Sequence, residues 1–165
     1  MNTSYVFLAP GFEEVEALTV IDVMRRAGMD VKTVSITDSR TVAGAHGIAV
    51  TADVVYEKTD FITPEWLILP GGMPGATNLS QYAPLNTLLL NQANSGKIAA
   101  ICASPAVVLA PLGILDGKEA TCYPGFEKQM HGAICRDTAV VALDRLITAN
   151  GPSAALSLIH ISEPT

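Results

Sequence analysis

Apolar and polar residues alternate along this chain with two different periods. Tyr5–Ala9 (Y-V-F-L-A) is a short unbroken apolar run, the pattern of a strand covered on both faces, and Pro10-Gly11 ends it. From Phe12 to Ala27 the period changes. Ala17, Val20, Ile21 and Met24 fall at i, i+3, i+4 and i+7, one stripe of a helix, and Gly28 closes it after Arg25 and Arg26. Val31–Ile36 predicts a second strand, Thr41–Asp53 a glycine-containing hairpin or edge excursion, and Trp66–Leu69 a third core strand ended by Pro70-Gly71-Gly72. Leu85–Ala93 reads as a helix and Ile98–Ile101 as another buried strand. Further on, Ala120–Cys122, Thr138–Leu143 and Leu146–Ala149 predict short strands, and a helix opens at Ser153.

Strands alternating with helices predict a single α/β domain with a mostly parallel central sheet. In such sheets ligands bind outside the carboxyl ends of the strands. That rule gathers three turns: Pro10–Glu16, Pro70–Gly75 and Ile101–Pro105.

Composition narrows the function classes. Of 165 residues, 49% are hydrophobic and only 16% charged, which suits a sheet buried on both sides. The net charge of −6 leaves no basic face for nucleic acid. The uncharged run from Ile98 to Leu115 is interrupted by two prolines and a glycine, so it predicts no membrane span. Met1-Asn2-Thr3-Ser4 carries no basic leader region, and Cys102, Cys122 and Cys135 are an odd number without metal spacing. Both features point to free thiols in a reducing cytoplasm. His46, His131 and His160 form no ligand cluster, so no metal site is expected.

Cys102 stands where the strand Ile98–Ile101 ends and Pro105 can open a helix. Small neighbours (Ala100, Ala103, Ser104) give this strand–turn–helix the form of a nucleophile elbow. A buried cysteine acting only as a small hydrophobe fits almost as well. In the elbow reading the helix dipole is expected to lower the thiol pKa. Glu13, Glu14 and Glu16 lie in the first turn of the first helix, where acids complement the dipole. That role suffices for Glu13 and Glu14. Glu16 has a second possibility, facing Cys102 across the crevice with its carboxyl partly protonated near neutral pH. Gly71 and Gly72 allow close backbone approach, and with the N–H of Ala103 would form an oxyanion hole; an ordinary glycine turn is the alternative.

These residues together resemble the ThiJ/PfpI superfamily. The matching stretches are A-P-G-F-E-E-V-E (9–16), D-V-M-R-R-A-G (22–28), L-P-G-G-M-P-G-A-T-N-L (69–79), A-A-I-C-A-S-P (99–105), T-C-Y-P-G-F-E (121–127) and N-G-P (150–152). The resemblance implies a flavodoxin-like three-layer sandwich that forms a homodimer. It implies a nucleophilic, oxidation-prone Cys102 with Glu16 as its partner, and oxyanion donors at Gly72 and Ala103. The implied activities are a glutathione-independent glyoxalase or deglycase acting on small reactive carbonyls such as methylglyoxal, with no cofactor. A non-catalytic oxidative-stress sensor or chaperone is the alternative.

Three departures qualify it. Relatives with peptidase activity carry histidine directly after the cysteine; Ala103 stands here, which argues against a peptidase. Tyr123 occupies the position of a histidine in the human-like branch. Tyrosine is a poor base at neutral pH, so Tyr123 is expected to position substrate alongside Gly71. His46 falls where that branch has an arginine, and either joins the site from a dimer partner or is a solvated turn residue. The domain is expected over 1–157. The tail at 158–165, ending Glu-Pro-Thr where the family continues into a long apolar helix, is expected to be non-native read-through after a truncation, with a natural short variant as the alternative.

Overall fold

The computed structural model describes residues 2–156; the expected tail at 158–165 and His160 lie outside them. Apolar runs become strands because both faces can be covered. In β1 (Ser4–Leu8) every residue is buried, and the same holds for β6 (Trp66–Leu69) and β11 (Leu146–Ala149). With β2 (Val31–Ser35), β5 (Val54–Val55), β7 (Lys97–Ile101) and β10 (Val140–Ala142) they form a seven-stranded sheet in the order β10-β11-β7-β6-β1-β2-β5. All neighbours are parallel except β10, which runs antiparallel to β11. The expected hairpin forms from β3 (Thr41–Ala43) and β4 (Ala49–Thr51). A small parallel pair, β8 (Glu119–Ala120) and β9 (Ile134–Cys135), completes the strands.

Successive residues of a strand point to opposite faces, so each central strand feeds two cores. Phe7, Leu67, Leu69, Ile98 and Ala100 pack with Leu79, Leu85, Leu89 and Leu109 on one face. Leu8, Ile68, Ala99 and Ile101 pack with Ala17, Val20, Ile21 and Met24 of α1 (Glu14–Arg26) on the other. The first face is covered by α2 (Gly75–Gln81), α3 (Ala83–Ser95) and the segment after Cys102. This is the expected three-layer flavodoxin-like sandwich.

Two expectations need correction. A helix at 75–81 was not anticipated. The segment after Cys102 is not a regular α-helix: Pro105–Leu109 winds as a π-turn, with the Ala110 N–H reaching the Pro105 carbonyl, and Ala110–Leu112 tightens to 3₁₀. Pro111 has no N–H for a regular ladder and pushes the preceding backbone away from α geometry.

The order of strand addition reverses between β1 and β6: β2 lies on one side of β1, while β6 and then β7 lie on the other. A crevice opens at such a switch point, beyond the carboxyl ends of the strands. The three turns predicted to gather there leave β1, β6 and β7.

Candidate active site

Cys102 follows β7 directly and holds φ at +65°, a conformation non-glycine residues rarely adopt. Its N–H donates to the Ala149 carbonyl at 2.8 Å, and its carbonyl accepts from the Tyr123 N–H at 2.8 Å. Ser104, fully buried, donates its hydroxyl to the Pro70 carbonyl at 2.6 Å, which fastens the elbow to the turn after β6. The backbone is therefore held from three sides while Cys102 itself remains partly exposed.

Glu16 is fully buried on α1 and meets the elbow across Gly71. The Gly71 N–H donates to Glu16 Oε2 at 2.8 Å. A side chain at 71 would put its Cβ 2.7 Å from Glu16 Oε2, 2.5 Å from Cys102 Cβ and 3.0 Å from Cys102 Sγ, so only glycine leaves space for both groups. Gly72, at φ +89°, is equally enclosed: a Cβ there would lie 2.4 Å from the Glu13 nitrogen.

The electrostatics follow from burial. Loss of water raises the Glu16 carboxyl to about 7, against the single Gly71 N–H and the Cys102 thiol, which favour its charge. Its Oε1 has no hydrogen-bond partner among the described residues. The expected lowering of the Cys102 pKa is not found. Burial, then the charge of Glu16 and the hydrogen bond to it, push the thiol up to about 12, while the N–H groups of Gly72 and Ala103 pull it back. The irregular segment after Cys102 supplies no regular dipole to outweigh a like charge. Burial and the charge of an ionised Glu16 both act against the thiolate, so at neutral pH the thiol keeps its proton while Glu16 exchanges one.

The structure thus brings Cys102, Glu16, Gly71, Gly72 and Ala103 together. Tyr123 adjoins them through its backbone; its side chain, 44% exposed, stacks edge-on to Phe126 and lies over Gly151. His46 belongs to a different cluster. Its Nδ1 lies 2.9 Å from Glu14 Oε2 and 3.7 Å from Glu13 Oε2, and its backbone N–H donates to Glu14 Oε1 at 2.7 Å. Glu14 is buried and pins the β3–β4 turn to α1, a role beyond the dipole complement expected for it. Gly44 makes room: a Cβ there would lie 2.3 Å from Glu14 Oε1. Glu13, Glu14 and His46 are the group with metal-ligand spacing among the described residues, but the Glu14 oxygens are already occupied by the turn. Sequence reasoning missed the roles of three residues: Ser104 was read only as a small neighbour of the elbow, Glu14 only as a dipole complement, and Gly44 only as one glycine of the hairpin.

A parallel α/β sandwich with a cysteine elbow facing a buried carboxyl defines the class. The sequence profile described as the DJ-1/PfpI family matches residues 3–161, and the chain belongs to that family. Protein dj-1beta of Drosophila melanogaster is 33% identical over 157 residues, covering 93% of this chain and 83% of that protein. The glutathione-independent glyoxalase DJR-1.2 of Caenorhabditis elegans is 34% identical over 145 residues, covering 87% and 76%. DJ-1 homolog B of Arabidopsis thaliana is 34% identical over 90% of this chain, which spans only 34% of that longer protein. Among solved structures, oxidized Toxoplasma gondii DJ-1 superposes with a TM-score of 0.92 at 36% identity, covering 98% of this chain and 90% of that one. Among the described residues no helix is long and apolar enough to cross a membrane.

Proposed function

We propose that this protein is a cysteine-dependent, cofactor-independent enzyme that converts small 2-oxoaldehydes such as methylglyoxal, or their adducts, to 2-hydroxy acids. The observation that carries the reading is a buried carboxyl raised to about 7 beside a thiol flanked by two backbone N–H groups. Cys102 gives its proton to Glu16 and adds to the aldehyde carbon, forming the C–S bond of a hemithioacetal. The N–H groups of Gly72 and Ala103 hold the developing oxyanion. Glu16 returns its proton to that oxyanion, and the freed carboxylate then moves a proton from the former aldehyde carbon to the neighbouring carbonyl carbon, so one carbon is oxidised and the other reduced with no outside electron carrier. Water cleaves the resulting thioester, releasing the 2-hydroxy acid and restoring the thiol. A carboxyl near 7 suits both directions of proton transfer at neutral pH. The glyoxalase name of the C. elegans relative supports this class. Tyr123 positions substrate through its exposed hydroxyl.

Cys102 also supports a second reading, as an oxidative-stress sensor. It is partly exposed, and the partnerless Oε1 of Glu16, when protonated, is a hydrogen-bond donor suited to the oxygens of a sulfinate. The deciding measurement is methylglyoxal turnover by the purified chain. Formation of lactate that is lost in Cys102→Ser supports the enzyme; no turnover of any 2-oxoaldehyde, with Cys102 still oxidised by peroxide, leaves the sensor.

We further infer a cytoplasmic homodimer. Val15 and Leu18 of α1 and the nearby Ile48 are exposed apolar residues, which suits a second copy. Light scattering on the eluting protein tests it.

A further inference from the structure

Cys122 and Cys135 take no part in the chemistry above. β8 and β9 run parallel, with Ala120 opposite Cys135 and the Arg136 N–H donating to the Ala120 carbonyl at 2.8 Å. Cys122 stands two residues beyond Ala120, and side chains two apart leave an extended chain on the same side. Cys122 and Cys135 therefore face one space, a cavity of about 410 Å³ lined also by Thr121, Glu127 and Asn150. The two thiols differ in access: Cys135 lies exposed on a two-residue edge strand, and Cys122 is 5% exposed.

We propose that Cys122 and Cys135 form a redox-active dithiol, separate from Cys102, that closes to an intramolecular disulfide under peroxide. The exposed Cys135 reacts first. Its sulfur attacks peroxide, the O–O bond breaks, and a sulfenic acid and one water result. The Cys122 sulfur attacks that sulfenic sulfur; the S–S bond forms, and hydroxide leaves with the Cys122 proton as a second water. One peroxide is reduced and two thiols are oxidised. Burial, then Cys135 and Glu127, hold the Cys122 thiol up at about 12, which keeps it from reacting first. Conversion of Cys135 to a neutral sulfenic acid removes that neighbour's share of the upward push. A disulfide needs the Cα atoms within about 7 Å. The short exposed strand β9 is the part of the chain free to adjust. The bond forms one residue from Tyr123, whose N–H holds the Cys102 carbonyl.

Trypsin cuts between the two cysteines at Lys128, so the link can be read directly. In the full chain carrying Cys102→Ser, two thiols remain. One equivalent of hydrogen peroxide should join peptide 119–128 to peptide 129–136 and reduce the free-thiol count to zero, both reversed by dithiothreitol. Adding Cys135→Ser, a surface change, should leave Cys122 reduced at the same dose. The same map on the unsubstituted chain covers the case in which Cys102→Ser does not fold. Cys135 recovered as sulfinate with Cys122 free, a bridge only between chains, or two unreacted thiols would each overturn the proposal.

Discussion

Glu14 and Glu16 stand two residues apart in the first turn of the same helix, both buried, yet their proton affinities move in opposite directions. Burial acts against ionisation of both. At Glu14 it is outweighed by the His46 side chain and by the backbone N–H groups of His46 and Ile48, so the carboxyl stays below its usual range. At Glu16 there is one N–H and a thiol, and burial wins. Burial alone therefore does not decide what a buried carboxylate does; the number of donors facing it does. The carboxylate with several donors anchors a turn. The one with few keeps a proton to exchange.

The strongest way to break this contrast is through activity. Glu16→Ala and Cys102→Ser should each lower 2-oxoaldehyde turnover by at least ~10²–10⁴-fold, the range for general acid–base catalysis, whereas Glu14→Ala should spare the rate per folded molecule. Equal losses from Glu14→Ala and Glu16→Ala, measured as kcat on protein of verified fold, would erase the distinction.

Stability against pH comes next. The folded-state value of Glu16, about 7, lies above its unfolded value of 4.5. Its contribution is thus fully present below pH 4.5 and is lost as pH rises through 7. The loss is of the order of 3 kcal/mol. Glu16→Gln cannot ionise, so its denaturation free energy should match the parent below pH 4.5 and exceed it by up to about that amount above pH 7. The same variant should shift the pH profile of Cys102 alkylation to lower pH, because the like charge is gone.

Glu14→Gln should act on the β3–β4 turn instead, costing about 1–3 kcal/mol of local stability through unsatisfied buried groups. Amide exchange at residues 44–48 reads it. In the parent, Glu14 contributes above its unfolded value of 4.5 and loses that contribution as pH falls through its lower folded value. His46 is raised, first by its hydrogen bond to Glu14, so its contribution is full below 6.5 and fades as pH rises through its folded value. Protection of the turn should therefore be greatest between about pH 4.5 and 6.5. The smallest effect is expected from Tyr123→Phe, ~0.5–1.5 kcal/mol in kcat/KM, one hydrogen bond to substrate. A loss as complete as that of Cys102→Ser would make Tyr123 a participant in proton transfer.

Legibility in the sequence followed the range of the interaction. Trp66–Leu69 was readable to the residue because a strand covered on both faces needs an unbroken apolar run. Gly75–Gln81 carries one large buried apolar side chain, Leu79, too few to show a helical stripe. The π-turn after Cys102 is a compromise between Pro105, which suits a helix start, and Pro111, which cannot continue one; pattern alone does not resolve it. Contacts across long separations were least visible. The link from Glu14 to His46 spans 32 residues, and the one from Ser104 to Pro70 spans 34. The approach of Glu16 to Cys102 was anticipated because a parallel sheet gathers the turns at the carboxyl ends of its strands and because the ThiJ/PfpI resemblance pairs these two positions.

The positive φ of Cys102 has a consequence for the evolution of this fold. A left-handed conformation costs an L-residue of the order of 1–3 kcal/mol where glycine would sit without strain. Selection for thermal robustness alone would favour glycine at 102, and a library screened only for heat resistance should enrich Cys102→Gly. The thiol is thus the more expensive allele, and it persists in a lineage only while its chemistry is under selection.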